Sequence, residues 1–186
     1  MRFKEFKQYR LPGYNYSSSG DYFITICVKN KLESFGRIIN SKMVLSEIGI
    51  VAENLWKKLP SKFSRINLDK FQIMPDHIHG IIHLRDSEFD RRNTPQNLNQ
   101  DQRRVPTQAN DQSKSNNLHP LIKNSIPSMI NHYKGSVTLW CKNNGYPDFK
   151  WQARYYDRII RNKQELFTIR KYIESNPQKL IEKLGI

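Results

Sequence analysis

Residues 86–120, DSEFDRRNTPQNLNQDQRRVPTQANDQSKSNNLHP, set the strongest limit on how this chain can fold. Only Phe89, Leu98, Val105, Ala109 and Leu118 are apolar there, and they follow no period. A stretch dominated by Asn, Gln, Asp, Ser and Arg cannot bury enough surface to offset its ordering entropy, so it reads as a flexible insertion. The 186 residues are then one domain, residues 1–186, interrupted at 86–120.

The charges of the insertion cancel, with Asp86, Glu88, Asp90, Asp101 and Asp111 set against Arg91, Arg92, Arg103, Arg104 and Lys114. The net charge of +14, from 31 Lys and Arg against 17 Asp and Glu, therefore belongs to the folded parts. An excess of that size points to a polyanionic partner such as nucleic acid. A membrane is not expected, because the longest apolar run, around Ile81 and Ile82, is far short of the roughly 18 residues a span needs. The opening MRFKEFKQYRLPGYNY alternates basic and aromatic residues without an apolar core, unlike a signal peptide. Cys27 and Cys141 lie far apart and each falls in an apolar pattern, so both read as small core residues in a reducing, cytoplasmic setting.

Before the insertion, Tyr22–Val28 is rich in aromatic and β-branched residues and predicts a strand. Arg37–Asn40 and Met43–Leu45 suggest a small hairpin. Ile48, Val51, Ala52, Leu55, Trp56 and Leu59 form a helical stripe, with Ser46 as N-cap and Pro60 as stop. Leu68–Met74 and His77–Leu84 read as two further strands. After the insertion, Ile126, Met129, Ile130, Tyr133, Val137, Trp140 and Cys141 keep helical spacing up to Gly145. Trp151–Ile160 predicts a strand whose Gln152, Arg154, Tyr156 and Arg158 share one basic face. Asn162 and Glu165 form a capping box for a last helix carrying Leu166, Ile169 and Ile173. This order predicts an α+β fold, one antiparallel sheet with helices packed on one face.

Two groups of residues carry chemistry. In MPDHIHGII, His77 and His79 are two apart on a strand and leave the same face of the sheet. Two neighbouring imidazoles suit one divalent metal, or are simply two surface histidines. His83 shares their parity further along. In RKYIESNP, Tyr172 and Asn176 are four apart on one helical face, at the border of the apolar stripe. A tyrosine there is either half-buried with a wet hydroxyl or a nucleophile assisted by a cation.

MPDHIHGII, WQARYYDRIIRN and IRKYIESNP, in this order, resemble the single-tyrosine HUH transposases, above all the REP-associated tyrosine transposases and small insertion-sequence transposases. The opening RLPGYNYSSSGDYFITICVKN followed by FGRI resembles the same branch. The likeness covers nearly the whole chain outside residues 86–120. It implies a ferredoxin-like HUH endonuclease fold and metal-dependent cleavage and transfer of single-stranded DNA through a 5′-phosphotyrosine. By the same resemblance, Tyr172 matches the nucleophile, and His77, His79 and Asn176 match the ligands of Mg²⁺ or Mn²⁺. The long insertion and His83 are departures from the family pattern.

Given that reading, Arg154 and Arg158 are candidates for flanking phosphates, with solvated surface charge as the bland alternative. Arg2, Lys4, Lys7 and Arg10, interleaved with Phe3, Phe6, Tyr9, Tyr14 and Tyr16, offer charge and stacking surface for single-stranded or hairpin DNA. Lys134 is a further DNA-contact candidate. A monomer and a homodimer are both compatible with the family. The competing functions are a non-catalytic nucleic-acid-binding ferredoxin-like module and a metal hydrolase in which water attacks.

Overall fold

Tyr22, Ile24 and Ile26 point to one side of their strand while Phe23 points to the other, and both sides are covered. The computed structural model describes residues 14–40, 42–86 and 122–184. The strands are β1 Gly20–Cys27, β2 Gly36–Ile39, β3 Lys42–Leu45, β4 Ile66–Ile73, β5 His77–Leu84 and β6 Tyr156–Ile160. The helices are α1 Glu47–Lys57, α2 Leu59–Lys62, α3 Ile126–Asn143 and α4 Lys163–Leu184.

Four strands form one sheet in the order β4-β5-β1-β6, with every neighbouring pair antiparallel. The β1–α1–β4 and β5–α3–β6 connections interleave as two split βαβ units, which is the ferredoxin-like α+β arrangement. β2 and β3 pair separately as the expected hairpin. The local signals hold at most helix ends. Ser46 Oγ accepts from Gly49 N–H at 3.1 Å, and Ser125 Oγ accepts from Ser128 N–H. Gly145 has φ +88°, and the following Tyr146 N–H donates to the Cys141 carbonyl at 2.9 Å, closing α3. Pro60, expected as a stop, instead lies in the first turn of short α2, where its missing N–H costs nothing.

α1 and α3 pack on one face of the sheet. Ile48, Ala52 and Trp56 of α1 meet Met129, Ile130, Tyr133 and Val137 of α3 over Ile24, Ile26, Ile78 and Ile82. The buried Tyr133 hydroxyl donates to the Ala52 carbonyl at 3.0 Å. Gly80 is what lets the Trp56 ring lie on β5, since a Cβ there would collide with the indole. Cys141 is buried in this core, and both cysteines are free thiols.

α4 departs from the expectation of all helices on one face. It covers the opposite side of the sheet, where Ile169 and Ile173 meet Phe23, Ile81 and Ile160. The reason is visible in β1 and β5, which place the apolar Phe23 and Ile81 among the polar residues of this second face, where they need cover. The expected strand at Trp151–Ile160 is also shorter, beginning at Tyr156. Arg154 has φ +69°, and that left-handed residue breaks the extended run before it reaches β6.

Tyr14 and Tyr16, expected to offer stacking surface, pack around Tyr22, the first edge-on and the second tilted. Arg2, Lys4, Lys7 and Arg10, with Phe3, Phe6 and Tyr9, lie outside the described residues, as does the insertion beyond Asp86. Among the described residues, no helix is long and apolar enough to cross a membrane.

Candidate active site

The alternation of β5 sends His77, His79, Ile81 and His83 to the α4 side of the sheet. The register sets Cys27 opposite His77 and Thr25 opposite His79. His79 is buried at 4% exposure, and His77 sits half-buried at its end of the strand. Their Nε2 atoms are 3.1 Å apart.

Each ring is held from behind. His77 Nδ1–H donates to Asp76 Oδ1 at 2.5 Å, and that hydrogen bond, working against burial, holds the Asp76 carboxyl below the usual range. His79 Nδ1 lies 2.9 Å from Thr25 Oγ1, which accepts from it in the tautomer that leaves Nε2 bare. Burial, and then the neighbouring charge of His77, pushes the His79 imidazole down to about 3, so it stays neutral and keeps its lone pair.

Tyr172 comes to this pair from α4. The Tyr172 ring meets His79 edge-to-face, with centroids 5.3 Å apart, and Phe23 at 6.0 Å. It is 41% exposed, so the site is open to solvent, and Lys179 Nζ lies 5.4 Å from the ring centroid. Asn176 is one turn further on, and its Nδ2 is buried with no hydrogen-bond partner among the described residues. Pro177 follows it inside the helix and cannot donate to the Ile173 carbonyl.

Two imidazoles can hold a divalent cation, with oxygen ligands filling the rest of its sphere. Two ligands about 2.1 Å from an ion and at right angles to each other lie about 3.0 Å apart, close to the histidine spacing seen here. Rings fixed at Nδ1 by a carboxylate and a hydroxyl are the outer shell that metal-binding histidines use. The unpaired end of the Asn176 amide presents an oxygen if the group is turned over. Among the described residues, no three His, Cys, Asp or Glu side chains converge on a metal position. The pair would therefore be completed by Asn176, water and substrate oxygen.

A cleft of about 450 Å³ adjoins the pair, lined by Phe23, Thr25, His79, Tyr156, Arg158 and Tyr172 among others. β6 supplies Tyr156 opposite Thr25 and Arg158 opposite Phe23, so both face this side. Arg158 reaches the cleft while bound to Glu165, with Nε–Oε1 at 2.8 Å. The Glu165 N–H is capped by Asn162 Oδ1 at 2.8 Å, as the capping box expects, while the Glu165 carboxylate reaches one residue further back and accepts from Arg161 N–H.

The other expected DNA contacts are placed differently. Arg154 precedes β6 at the left-handed kink and does not line the cleft. Lys134 is on α3, beneath the opposite face, and its ammonium donates to the carbonyls of Gln152 and Arg154 at 2.8 and 3.1 Å. Burial lowers its pKa, and its charge is spent on the loop that leads into β6. His83 does not join the histidine pair: Nδ1 is 2.6 Å from Asp21 Oδ1 and Nε2 is 3.0 Å from Asp69 Oδ2. Sequence reasoning passed over Thr25, Phe23 and Asp76 as parts of this site. Asp76 stood beside His77 in the motif, whereas Thr25 depends on strand register and left no local signal.

No family model matches the chain. An uncharacterized protein of Haemophilus influenzae is 37% identical over 168 residues, which span 90% of this chain and 86% of that protein. Among solved structures, a REP-associated tyrosine transposase bound to a REP hairpin shares the fold, with TM-score 0.54 and 18% identity over 95% of this chain and 74% of that one. A candidate transposase from Deinococcus radiodurans, 13% identical with 89% of this chain and 95% of that one covered, has TM-score 0.45, at which likeness decides nothing.

Proposed function

The chain belongs to one family with that Haemophilus influenzae protein, and we propose that it is a transposase-like enzyme that nicks and rejoins single-stranded DNA through a phosphotyrosine on Tyr172. The observation that carries this reading is the edge-to-face contact of Tyr172 with His79, at the mouth of a cleft that Arg158 also lines. A phenol, an imidazole pair and a guanidinium around one opening are the groups a phosphodiester exchange needs. His77, His79 and Asn176 would hold Mg²⁺ or Mn²⁺. When bound, the cation supplies Lewis-acid polarisation of the scissile phosphate.

The chain's own residues do the rest. Arg158 and Lys179 draw the anionic strand into the cleft. The Tyr172 oxygen attacks phosphorus in line, the bond to the 3′ oxygen breaks, and the phenolic proton is lost to solvent or to the departing 3′ oxygen. The new phosphodiester on tyrosine keeps the energy of the old one, so the freed 3′-hydroxyl of a strand reseals it by the reverse attack. The REP hairpin bound to the structural neighbour makes a hairpin with a single-stranded flank the first substrate to test. The net charge of +14 supports a polyanionic partner, and two free thiols agree with a cytoplasmic setting.

The test is a labelled single strand incubated with protein and Mn²⁺, then denaturing electrophoresis. Label should travel with the wild type and with Tyr156→Phe, and should be absent from Tyr172→Phe. An adduct that persists in Tyr172→Phe would refute the assignment, and cleavage without an adduct in any variant would favour a water-attack hydrolase.

A further inference from the structure

β4 carries a bulge at Asp69 and Lys70. Leu68 pairs with Ile82 and Phe71 with Gly80, so two residues of β4 stand opposite Ile81 alone. In a regular strand, consecutive side chains would leave opposite faces, and only one of the two could reach α4. With the bulge, both do. Asp69 Oδ2 accepts from Arg170 Nε at 2.8 Å, and Lys70 pairs with Glu174. Asp69 is held in turn by His83, whose other nitrogen is bound to Asp21 on β1, so the chain Asp21–His83–Asp69–Arg170 ties three strands to one helix.

The place of these ties on α4 matters. Arg170 and Tyr172 are two residues apart, about 200° around the helix, so they leave it on opposite sides. Arg170 and Glu174 form the flank toward β4. Tyr172 and Asn176 form the flank toward the histidines and the cleft, with the apolar stripe between. That stripe is thin, since Ile169 and Ile173 are the buried apolar residues it contributes among the described residues. Two isoleucines on a sheet resist lifting better than rolling. A roll of α4 about its axis moves Tyr172 relative to His79, and a displacement of the order of 1 Å at a reacting atom costs up to about a hundredfold in rate.

We propose that Asp69 is a positioning residue for Tyr172: turned onto α4 by the bulge and braced by His83, it grips Arg170 and sets the roll angle that aims the phenol at the histidine site. The salt bridge is partly shielded, with the Asp69 side chain 13% exposed and that of Arg170 40%, so it is worth more than an ordinary surface pair. Lys70–Glu174 is half exposed and serves as a weaker second tie. The inference rests on Tyr172 being the nucleophile.

The experiment measures adduct formation in single turnover at saturating single-stranded DNA with Mn²⁺, alongside DNA affinity, for wild type, Asp69→Asn, Arg170→Gln, Arg170→Lys and the double variant. The rate should fall about tenfold or more in Asp69→Asn and Arg170→Gln while affinity changes little. The double variant should be no slower than either single one, because both remove the same tie. Arg170→Lys should recover part of the rate. The Arg170 side chain is 40% exposed against 13% for Asp69, so its variants keep the test if Asp69→Asn does not fold. A wild type that forms adduct with Asp69→Asn and Arg170→Gln equally fast would overturn the positioning role and leave the tyrosine mechanism standing. Additive losses, or losses confined to DNA affinity, would overturn it as well. A wild type without adduct would overturn the nucleophile assignment, and the positioning role with it.

Discussion

His77 and His79 face one another through Nε2 across 3.1 Å, with Asp76 behind the first ring and Thr25 behind the second. If each Nδ1 carries its proton toward that partner, two lone pairs converge on one point. Such a pair repels unless a cation or a shared proton lies between.

Replacing either ring by Ala should therefore abolish metal-dependent cleavage while leaving most DNA binding, because the charge that binds DNA is elsewhere. Cleavage gels across a Mn²⁺ series, paired with affinity measurements, check this. Full activity in a His77/His79 double variant, or in excess EDTA, would remove the metal from the mechanism.

Gly80 sits directly after His79 and under the Trp56 ring. Gly80→Ala forces the indole off β5, an overpacking cost of about 1–3 kcal/mol. At about 2–4 °C per kcal/mol for a chain of this size, the thermal midpoint should drop by several degrees. An unchanged midpoint would mean that Trp56 has room to move.

The fold class, most helix ends and the shared face of His77 and His79 were legible because each rests on a local signal. A capping box, a helical stripe and a period of two can all be read from neighbours in sequence. The side of the sheet taken by α4 was not legible, because Phe23 and Ile81 are the main apolar residues on an otherwise largely polar face of β1 and β5, too few to mark in sequence a face that a helix covers. Thr25 beside His79 and Asp69 beside Arg170 follow from register and from a bulge, and both are properties of strand pairing. Lys134 and Arg154 looked like phosphate contacts because charge is visible in sequence, whereas the carbonyls that occupy Lys134 and the left-handed turn at Arg154 are not.

His83 gives a stability signature with a definite sign. Its hydrogen bond to Asp21, opposed by burial and helped by Asp69, raises its pKa above 6.5. The stabilisation is therefore complete below about pH 6.5, its unfolded value, and is lost as pH rises through the raised folded value. The thermal midpoint of the wild type should fall over that window more than that of His83→Gln. Asp69 acts in the opposite range. Burial pushes its carboxyl up, but hydrogen bonds from Arg170 and His83 outweigh this and hold it below 3.8. Its contribution is present above that value and disappears as pH falls through the lowered one. Parallel pH curves for wild type and His83→Gln near neutrality would show that the network carries no net stability.

DNA affinity should fall steeply with salt. The net charge of +14 must displace counterions, and each neutralised phosphate on a single strand adds about 0.7 to the slope of log K against log salt. A titration from low to physiological ionic strength measures the slope directly, and a flat response would remove the charge argument. Arg158→Gln should lower the slope by at most about one such step, because this guanidinium lines the cleft and a phosphate there competes with Glu165 for it. Lys134→Gln should leave the slope nearly unchanged, because that ammonium lies on the face of the sheet away from the cleft.

Asn176 separates a metal ligand from a packing residue. Its buried amide end has no hydrogen-bond partner among the described residues, so removing it leaves no protein group newly unsatisfied there. Asn176→Ala should thus cost little in the absence of metal. If the amide oxygen helps hold the cation, the same change should weaken Mn²⁺ binding, and Asn176→Asp, which offers a charged oxygen at nearly the same volume, should strengthen it. Binding to the folded state alone raises stability by RT ln(1 + [L]/Kd), so a thermal-shift titration reads the affinity without requiring DNA or turnover. The Mn²⁺-induced rise in midpoint should be largest for Asn176→Asp, intermediate for the wild type and smallest for Asn176→Ala. Metal-free Asn176→Asp should itself be less stable, because an unpaired carboxylate then sits where a neutral amide was. Identical Mn²⁺ shifts in all three proteins would exclude Asn176 from the metal site, while a shift that survives in Asn176→Ala and vanishes in His79→Ala would leave the ion to the histidines, water and substrate.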